Sequence, residues 1–531
     1  MWKRTRLSLA IGAAFGAGLT GIAVGAWAQQ TPAPAQSLER VEVTGSAIKR
    51  IDAETSLPVQ VITAQDIART GVTTSEQLLR TITAIDPAGI TVSANNAGLN
   101  TGGLSTASLR GLGSTRTLVL VNGRRIAPYG SVGESASIDV NSIPIQAIDR
   151  VEVLKEGASA VYGSDAIAGV INFILRREYT GASISAEYGG TISGGGGGKQ
   201  WNIAGSYGFG SLDKDRFNVS VLATYQKTDA IYGADRGYAR SGISVSPDPN
   251  SQINNDTSSG NTFPGNIASS TTGDTIGNPL QGNCGPFSVT SPFFSPTVCR
   301  YDPSPFVTLL PEAENWSIFG AGRFAITKDL EAFAEVSYTH RDIFTQIQPV
   351  PLSDQFALPT TNPLFAVPPF NGANTFLLRP TSPYYPAGYI AAQGFDPTEP
   401  VRYRAIENGN RQTRDEVEVP RVALGLQGNG YGWDYNVTYL WTESKLTESV
   451  EGGFPQLTKV LPLLDSGLVN PFGPSTPDIQ QALLASNFNG DTYVNKSSLQ
   501  SISAGGSREL MQLSGGPLAI ALGAEFRQEG Y

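Results

Sequence analysis

Residues 433–441 read WDYNVTYLW, and apolar and polar side chains alternate along this stretch. Positions 433, 435, 437, 439 and 441 are aromatic or aliphatic, whereas Asp434, Asn436 and Thr438 lie between them. Alternation with a period of two predicts a β-strand with one apolar face. The apolar face is aromatic near its ends and aliphatic in its middle, which is typical of a strand that faces lipid.

The same alternation recurs throughout the chain after about residue 180. It is clearest in four further stretches, at 201–209, 216–226, 330–338 and 518–526. A soluble β-sandwich with one buried face is the alternative interpretation. The predicted strands are about 10 to 14 residues long, which favours the strands of a membrane β-barrel.

The connections between these strands alternate between short and long. The short ones are expected at 211–215, 327–329, 428–431 and 514–516, and the long ones at 229–312, 345–415 and 447–500. Membrane barrels have short periplasmic turns and long outer loops. We count about nine strands, and since an odd number does not close a bacterial single-chain barrel, we expect the sequence to be part of a longer one.

Composition agrees with a large β-barrel. The 531 residues include 60 glycines, 16% are charged and 40% are hydrophobic. A helical membrane bundle is excluded because it needs apolar runs of about 20 residues. A disordered chain would be more charged and less apolar.

Residues 1–28 resemble a cleaved signal peptide. Lys3, Arg4 and Arg6 precede an apolar stretch of small residues, and Ala26-Trp27-Ala28 is a cleavage signal of the A-x-A type. An uncleaved membrane anchor is the alternative. Cleavage would remove three positive charges and change the formal net charge from −9 to −12. Such an acidic protein is not expected to bind nucleic acid.

Residues 55–177 have a mixed α/β pattern. We predict strands at 59–63, 116–121, 150–155 and 170–175, a helix at 75–82, and a glycine-bounded helix or turn at 157–169. Thr63 and Asp66 predict the start of a further helix. Residues 29–54 form a linker rich in Pro, Ala and Gln at its start, with an alternating segment at 39–46.

Together these segments resemble the TonB-dependent outer-membrane receptors. Residues 39–45 (ERVEVTG) look like a TonB box, and residues 58–82 (PVQVITAQDIARTGVTTSEQLLRTI) look like the opening of the plug domain. Residues 109–126 (LRGLGSTRTLVLVNGRRI) and 150–172 (RVEVLKEGASAVYGSDAIAGVIN) are similar to its two most recognisable motifs. Each motif alone is loose, but four in order are specific.

The resemblance implies an α+β plug domain, 55–177, followed by a transmembrane antiparallel β-barrel from residue 180 to 531. The family's barrel has 22 strands, of which about nine are present here. It further implies a cell outer membrane location, with plug and box facing the periplasm, and uptake energised by TonB with its ExbB/ExbD complex. A passive porin or an adhesive surface barrel is the alternative function.

The resemblance also implies roles for individual residues. The TonB-binding residues would be Glu39, Arg40, Val41, Glu42, Val43, Thr44 and Gly45. The alternative is that these residues form an ordinary first strand of the plug. A lock between plug and barrel wall would pair Arg110 and Arg116 with the predicted inward carboxylates Glu331 and Glu335. Simple solvation of these charges in a wet lumen is the alternative to the lock.

The sequence offers no catalytic or cofactor site that we recognise. His340 is the only histidine, so neither a zinc site of the HExxH type nor a histidine-based catalytic triad can form. Gly111-Leu112-Gly113 resembles the start of a dinucleotide motif, but Arg116 replaces its third glycine. We therefore predict that the protein is not an enzyme and needs no cofactor or metal.

Two cysteines, Cys284 and Cys299, lie 15 positions apart in a segment rich in Gly, Pro, Ser and Thr. In an exported chain an even cysteine count predicts a disulfide bond that closes a surface loop. A metal site built from these two alone is disfavoured because His340 is the only histidine.

The ligand would be one that is too large or too scarce for porin diffusion. Residues 93–106 and 127–137, at the predicted plug apex, are neutral and rich in Asn, Ser, Thr and Gly. The candidate contacts there are Asn95, Asn96, Asn100 and Tyr129. Amide and hydroxyl groups beside the aromatic residues of the 345–415 loop slightly favour a neutral, oligosaccharide-like ligand over a ferric siderophore. Loop packing and solvation are the alternatives.

Overall fold

A computed structural model of the chain describes residue 44 and residues 59–86, 104–129, 137–192, 195–247, 254–269, 272, 274–352, 378–397, 399–514 and 516–531. They form an N-terminal α/β domain and a large antiparallel sheet, which we call the wall sheet. The predicted signal peptide lies outside the described residues. So does the predicted linker, except for Thr44.

The N-terminal domain contains a four-stranded sheet. Its strands are β1 (Val59–Thr63), β2 (Thr117–Val121), β3 (Ile148–Leu154) and β4 (Gly169–Leu175). The strand order is β1-β3-β4-β2, with β2 and β4 parallel and the other pairs antiparallel. All four strands were expected from the sequence, within two residues at each end.

Three short helices accompany this sheet: α1 (Ala64–Thr70), α2 (Ser75–Leu79) and α3 (Ser159–Tyr162). Thr63 and Asp66 form a capping box at the start of α1, as predicted. The predicted helix runs to Ile82, but α2 ends three residues earlier, at Leu79. The N–H groups of Thr81 and Ile82 bond to carbonyls three positions back instead of four. Ile82 is nevertheless buried with the α2 leucines against the sheet.

The wall sheet has nine strands within the described residues. They are β5 (Gly181–Gly189), β6 (Gln200–Phe209), β7 (Phe217–Thr228), β8 (Glu312–Ala325), β9 (Leu330–Ile347), β10 (Arg411–Gly430), β11 (Trp433–Gly452), β12 (Gly490–Leu513) and β13 (Gly516–Gly530). Each strand pairs antiparallel with its sequence neighbours, so the sheet is a simple meander. The predicted fold class is confirmed.

Alternation along these strands separates two faces. On one face large apolar side chains are about half exposed, for example Ile318, Val336 and Leu424. On the other face side chains such as Phe319 and Ala423 are buried against the N-terminal domain. The first face is the one that a barrel presents to lipid, and the second is the one that it presents to its lumen.

The connections also alternate in length. Residues 326–329 and 431–432 are tight links, α4 (Leu212–Asp215) joins β6 to β7, and β13 begins three residues after the end of β12. The spans 229–311, 348–410 and 453–489 are long. They follow β7, β9 and β11, which run in the same direction, so all three leave the same end of the sheet.

The long connections have local structure of their own. They contain α5 (Ala387–Gln393), α6 (Leu457–Asp465) and α7 (Pro477–Ala485), and short strands at Ile231–Tyr232, Ile243–Ser244, Asn255–Asp256, Asn266–Ala268, Thr275–Gly277, Thr308–Leu310 and Val401–Arg402. They share an apolar core that includes Phe263, Tyr403 and Leu464. We call this layer the loop cap. Among the described helices, none has the length and apolar character needed to cross a membrane.

Candidate functional site

The N-terminal domain lies against the lumen-facing side of the wall sheet through apolar contacts. Phe319 and Ala321 of β8 join the core cluster of the domain. Further along, Tyr129 is buried with Val417 and Val419 of β10. Burial of these apolar side chains favours docking of the domain on the sheet.

Glu335 of β9 lies at the centre of a buried polar cluster between domain and wall. Its side chain is only 1% exposed. It forms ion pairs with Arg177 (3.1 Å) and with Arg421 of β10 (3.0 Å), and it accepts a hydrogen bond from the Asn122 side-chain amide (2.9 Å). We call these four residues the Glu335 cluster. It joins the end of the N-terminal domain to two adjacent wall strands.

The Phe333 ring, two residues before Glu335 on the same face of β9, lies next to this cluster. The guanidinium groups of Arg124 and Arg177 lie 5.3 and 5.4 Å from the centre of the Phe333 ring. The ring lies over Gly425 of β10, where an added Cβ would come within 2.5 Å of it. Gly425 therefore makes room for Phe333, and Phe333 offers its face to two cations.

A second ion pair lies nearer the loop cap. Asp139 of the domain pairs with Arg341 of β9, and both side chains are 3% exposed. Asp139 also accepts hydrogen bonds from the backbone N–H groups of Ser105 and Asn141, and Arg341 donates to Asn315 of β8. Burial raises the pKa of Asp139, and the Arg341 charge opposes that shift. The pair links two domain segments to the wall.

The predicted lock has different partners from those expected. Arg110 donates to the Ala168 carbonyl and Arg116 to the Leu112 carbonyl, so both side chains fold back onto their own domain. Glu331 is bound by Arg323 of the adjacent wall strand, at 2.6 and 2.7 Å. Of the four predicted residues, only Glu335 belongs to the buried cluster between domain and wall.

The correction has a local cause. Arg110 has a positive φ of 55°, in a turn that directs its side chain back towards Ala168. Arg177 and Arg421 were missed by the sequence reasoning. Arg421 could have been found from alternation, since it shares the face of β10 that carries the inward residues Val417, Val419 and Ala423.

Thr44 is the one residue of the predicted box that the structure describes. It is 4% exposed and lies on the N-terminal sheet. Its backbone N–H and its hydroxyl both donate to Glu152 of β3, at 3.1 and 2.6 Å, and its hydroxyl accepts from Asn172 of β4 at 3.0 Å. Glu39, Arg40, Val41, Glu42, Val43 and Gly45 lie outside the described residues.

The predicted ligand contacts are only partly visible. Asn95, Asn96 and Asn100 lie outside the described residues. Tyr129 is 2% exposed, and burial raises the pKa of its hydroxyl well above the ordinary value. In this conformation Tyr129 is packed between domain and wall, so it does not present its ring to a ligand.

Cys284 and Cys299 are joined in a disulfide bond within the loop cap. Cys299 is buried next to Tyr301, and its backbone N–H donates to the Asn266 side chain. The bridge therefore closes a loop at the edge of the short strand Asn266–Ala268. Among the described residues, no cluster of three or more His, Cys, Asp or Glu side chains could hold a metal ion.

Residues 52–170 match the family described as the TonB-dependent Receptor Plug Domain. This range covers β1, β2, β3, the first two residues of β4 and the turn that carries Asn122. The N-terminal domain is therefore similar to the plug domain of TonB-dependent receptors. Such receptors are transporters rather than enzymes, and we call the N-terminal domain of this chain the plug.

Solved structures of similar receptors match most of the chain. A point mutant of the ferric enterobactin receptor PfeA from Pseudomonas aeruginosa is 15% identical, with a TM-score of 0.46, covering 90% of this chain and 50% of that one. The siderophore receptor PirA from Acinetobacter baumannii is 15% identical, with a TM-score of 0.47 and coverages of 89% and 48%. The chain thus spans about half the length of these receptors.

Proposed function

We propose that the protein takes up a scarce or bulky ligand across the outer membrane, energised through TonB by the inner-membrane proton gradient. The observation that supports this most directly is the plug held on the lumen face of the wall sheet by the Glu335 cluster. A domain fixed in this position blocks free diffusion. Uptake then requires work on the plug.

Buried ion pairs suit a plug that must be both held and moved. The desolvation of two charges offsets much of their attraction, so the net stabilisation from such pairs is small while their geometry is specific. Asp139–Arg341 and the Glu335 cluster therefore fix the position of the plug without making it immovable. Apolar contacts such as those of Phe319 add the rest of the docking energy.

Residues 39–45 are the proposed contact for TonB. An extended segment offers its backbone N–H and C=O groups to a partner strand, which is the chemistry of β-augmentation. In the proposed orientation the plug and box face the periplasm together with the short wall connections, and the loop cap faces outward. ExbB and ExbD would act through TonB.

The proposed ligand is a neutral, oligosaccharide-like molecule, and the alternative is a ferric siderophore. The neutral amide and hydroxyl side chains of residues 93–106 support the first. The burial of Tyr129 removes one aromatic contact from the proposed site. Exposed aromatic residues of the loop cap, such as Phe293, could contact a ligand of either class.

Deletion of residues 39–46 tests the energised function. We expect uptake by a strain that depends on this receptor to be lost, while the amount of receptor in the outer membrane is unchanged. Deletion of residues 29–36, outside the box, is the matched control and should leave uptake intact. Uptake that survives loss of the box would favour the passive porin or adhesive barrel instead.

Growth of a receptor-deletion strain on candidate ligands, with and without added iron, separates the ligand classes. A growth defect that iron abolishes would indicate a siderophore. A defect on one oligosaccharide as sole carbon source, unaffected by iron, would indicate a sugar ligand.

A further inference from the structure

A series of hydrogen bonds crosses the plug from Thr44 to the wall. The Asn172 side-chain amide donates to the Thr44 hydroxyl at 3.0 Å. The carbonyl oxygen of the same side chain accepts from the backbone N–H of Gly123 at 2.9 Å. The preceding residue, Asn122, donates to Glu335 of the wall at 2.9 Å. Three hydrogen bonds in series thus connect the predicted box to the Glu335 cluster.

The end of this series at Thr44 is buried and charged. Glu152 is 2% exposed and directly opposes Asn172 in the β3–β4 pair. One of its oxygens accepts from Arg150 and the other from both donors of Thr44. Withdrawal of Thr44 would therefore remove two donors from a buried carboxylate and one acceptor from a buried amide. Buried polar groups that lose their partners are destabilising, so the sheet has to adjust.

The middle of the series is a tight turn. Asn122 and Gly123 both have positive φ, at 51° and 74°, and the turn is closed by hydrogen bonds between Val121 and Arg124. Asn122 also accepts a hydrogen bond from the Leu175 N–H at the end of β4. A change at Asn172 thus reaches Asn122 through one peptide unit rather than through a flexible side chain.

At the wall end of the series, the buried Arg421 side chain has few hydrogen-bond partners among the described residues. Within the described residues, two of the Arg421 nitrogens, Nε and Nη2, have no hydrogen-bond partner, although the side chain is 4% exposed. Arg421 therefore depends on Glu335. Movement of Asn122 would remove a donor from Glu335 and shift the carboxylate that both arginines share.

We propose that Asn172 and the Asn122–Gly123 turn couple the box to the wall contact, so that withdrawal of Thr44 weakens the hold of Glu335 on the plug. The role of TonB in withdrawing Thr44 rests on the proposed function, whereas the hydrogen bonds themselves require neither TonB nor ligand. Asn172 and Asn122 are positioning residues in this scheme. The plug would be released from the wall as a consequence of tension on the box.

Hydrogen–deuterium exchange of the full protein in outer-membrane vesicles tests the coupling. Thr44→Val removes the hydroxyl and keeps the shape, and Thr44 lies outside the sheet, so the fold should persist. We expect the Gly123 amide to exchange about five- to tenfold faster, which corresponds to the loss of one or two net hydrogen bonds. Thr81→Val, which removes a hydroxyl that bonds to the Leu78 carbonyl in the same domain, is the matched control and should leave Gly123 unchanged.

Two further variants test the direction and the path. Asn122→Gly keeps the left-handed backbone and removes the side-chain bonds to Glu335 and to the Leu175 N–H. Because coupling is reciprocal, the Thr44 amide should exchange faster by a similar factor. Asn172→Leu removes the acceptor of the Gly123 N–H itself, so Gly123 should exchange at least as fast as in Thr44→Val. The double variant that combines Thr44→Val with Asn172→Leu should exchange at Gly123 no faster than the single variant with the larger effect, because both substitutions break the same series of hydrogen bonds.

Unchanged exchange at Gly123 in Thr44→Val, or fully additive effects in the double variant, would overturn the coupling. These outcomes are separate from the proposed function. Loss of uptake on deletion of the box, together with unchanged exchange, leaves the transporter and removes the coupling. Faster exchange together with uptake that survives the deletion leaves the coupling and removes the energised function.

Discussion

Glu335 holds two arginines at a position that solvent barely reaches. Arg177 and Arg421 both share its carboxylate, and the Arg421 side chain is almost as buried as Glu335 itself. Glu331, four residues earlier on the same face, is bound instead by Arg323, which also pairs with Glu178. Two glutamates of one strand thus have different roles, one between plug and wall and one within the base of the wall.

Glu335→Gln is expected to weaken plug docking by about 3–5 kcal/mol, because it leaves the buried guanidinium group of Arg421 without a countercharge. Glu331→Gln should cost at most about 1 kcal/mol, since its partner is more accessible and keeps Glu178. Urea unfolding of the purified receptor, followed by protease access to the plug, measures both variants. Equal losses for the two glutamates would contradict the assignment of Glu335.

Gly425 provides the second prediction at this scale. Gly425→Ala places a methyl group within 2.5 Å of the Phe333 ring, and the ring must move away from Arg124 and Arg177. We expect a loss of about 1–3 kcal/mol, as is usual for overpacking. Gly322→Ala is the control, because no atom lies within 4 Å of the added methyl group. A Gly425→Ala protein as stable as the control in the same urea titration would show that the ring is not constrained.

At the scale of elements, the loop cap has its own means of stabilisation. Its three long connections share the core that contains Phe263, Tyr403 and Leu464. The disulfide between Cys284 and Cys299 closes a loop of 15 residues at the margin of this core. Such a bridge acts mainly by restricting the unfolded state of the segment it closes.

The double variant Cys284→Ser with Cys299→Ser is expected to lose about 3 kcal/mol of local stability in the loop cap. The wall sheet should be unaffected, because its strands are held by their own hydrogen-bond ladders. Limited proteolysis between residues 280 and 300, compared with thermal unfolding of the whole receptor, separates the two effects. Ser295→Ala in the same loop is the control, and protease resistance equal to that control would show that the bridge adds nothing.

At the scale of the whole molecule, the exposed face of the wall sheet must be compatible with lipid. Val336 lies in the middle of β9 and is 52% exposed, beside the exposed Leu424 of the adjacent strand. Side chains on the opposite face of the sheet, such as Glu335, contact the plug. The wall therefore separates an apolar exterior from a polar, plug-filled interior across one layer of backbone.

Val336→Arg is expected to destabilise the inserted receptor by about 2–4 kcal/mol, as for a basic residue near the bilayer midplane. Thr327→Arg, in the tight link between β8 and β9, should cost about 0–1 kcal/mol because the interfaces tolerate charge. Unfolding from lipid vesicles, monitored by tryptophan fluorescence, measures both. Similar stabilities would mean that Val336 does not face lipid.

Local sequence was sufficient for the elements and their order. The period-two alternation of 433–441 and its repeats, the turn residues between them and the capping pair Thr63–Asp66 are features of adjacent residues. They predicted a count of about nine wall strands, the plug strands and the start of α1. They act over a few residues, so they can be read without knowledge of the rest of the chain. Chain order also predicted the wall, because in a meander each strand pairs with its sequence neighbours.

Only the tertiary structure decided which side chains join plug to wall. Asn122 and Glu335 are 213 residues apart, and Thr44 and Asn172 are 128 apart. Arg110 and Arg116 had the expected charge and motif, but the local backbone directs them into the plug. Arg177 is close to Glu335 because the plug lies against the sheet at that point, whereas Arg421 is brought there by the pairing of β9 with β10. Alternation states which face a residue occupies, whereas the partner across that face depends on how two separately folded surfaces meet.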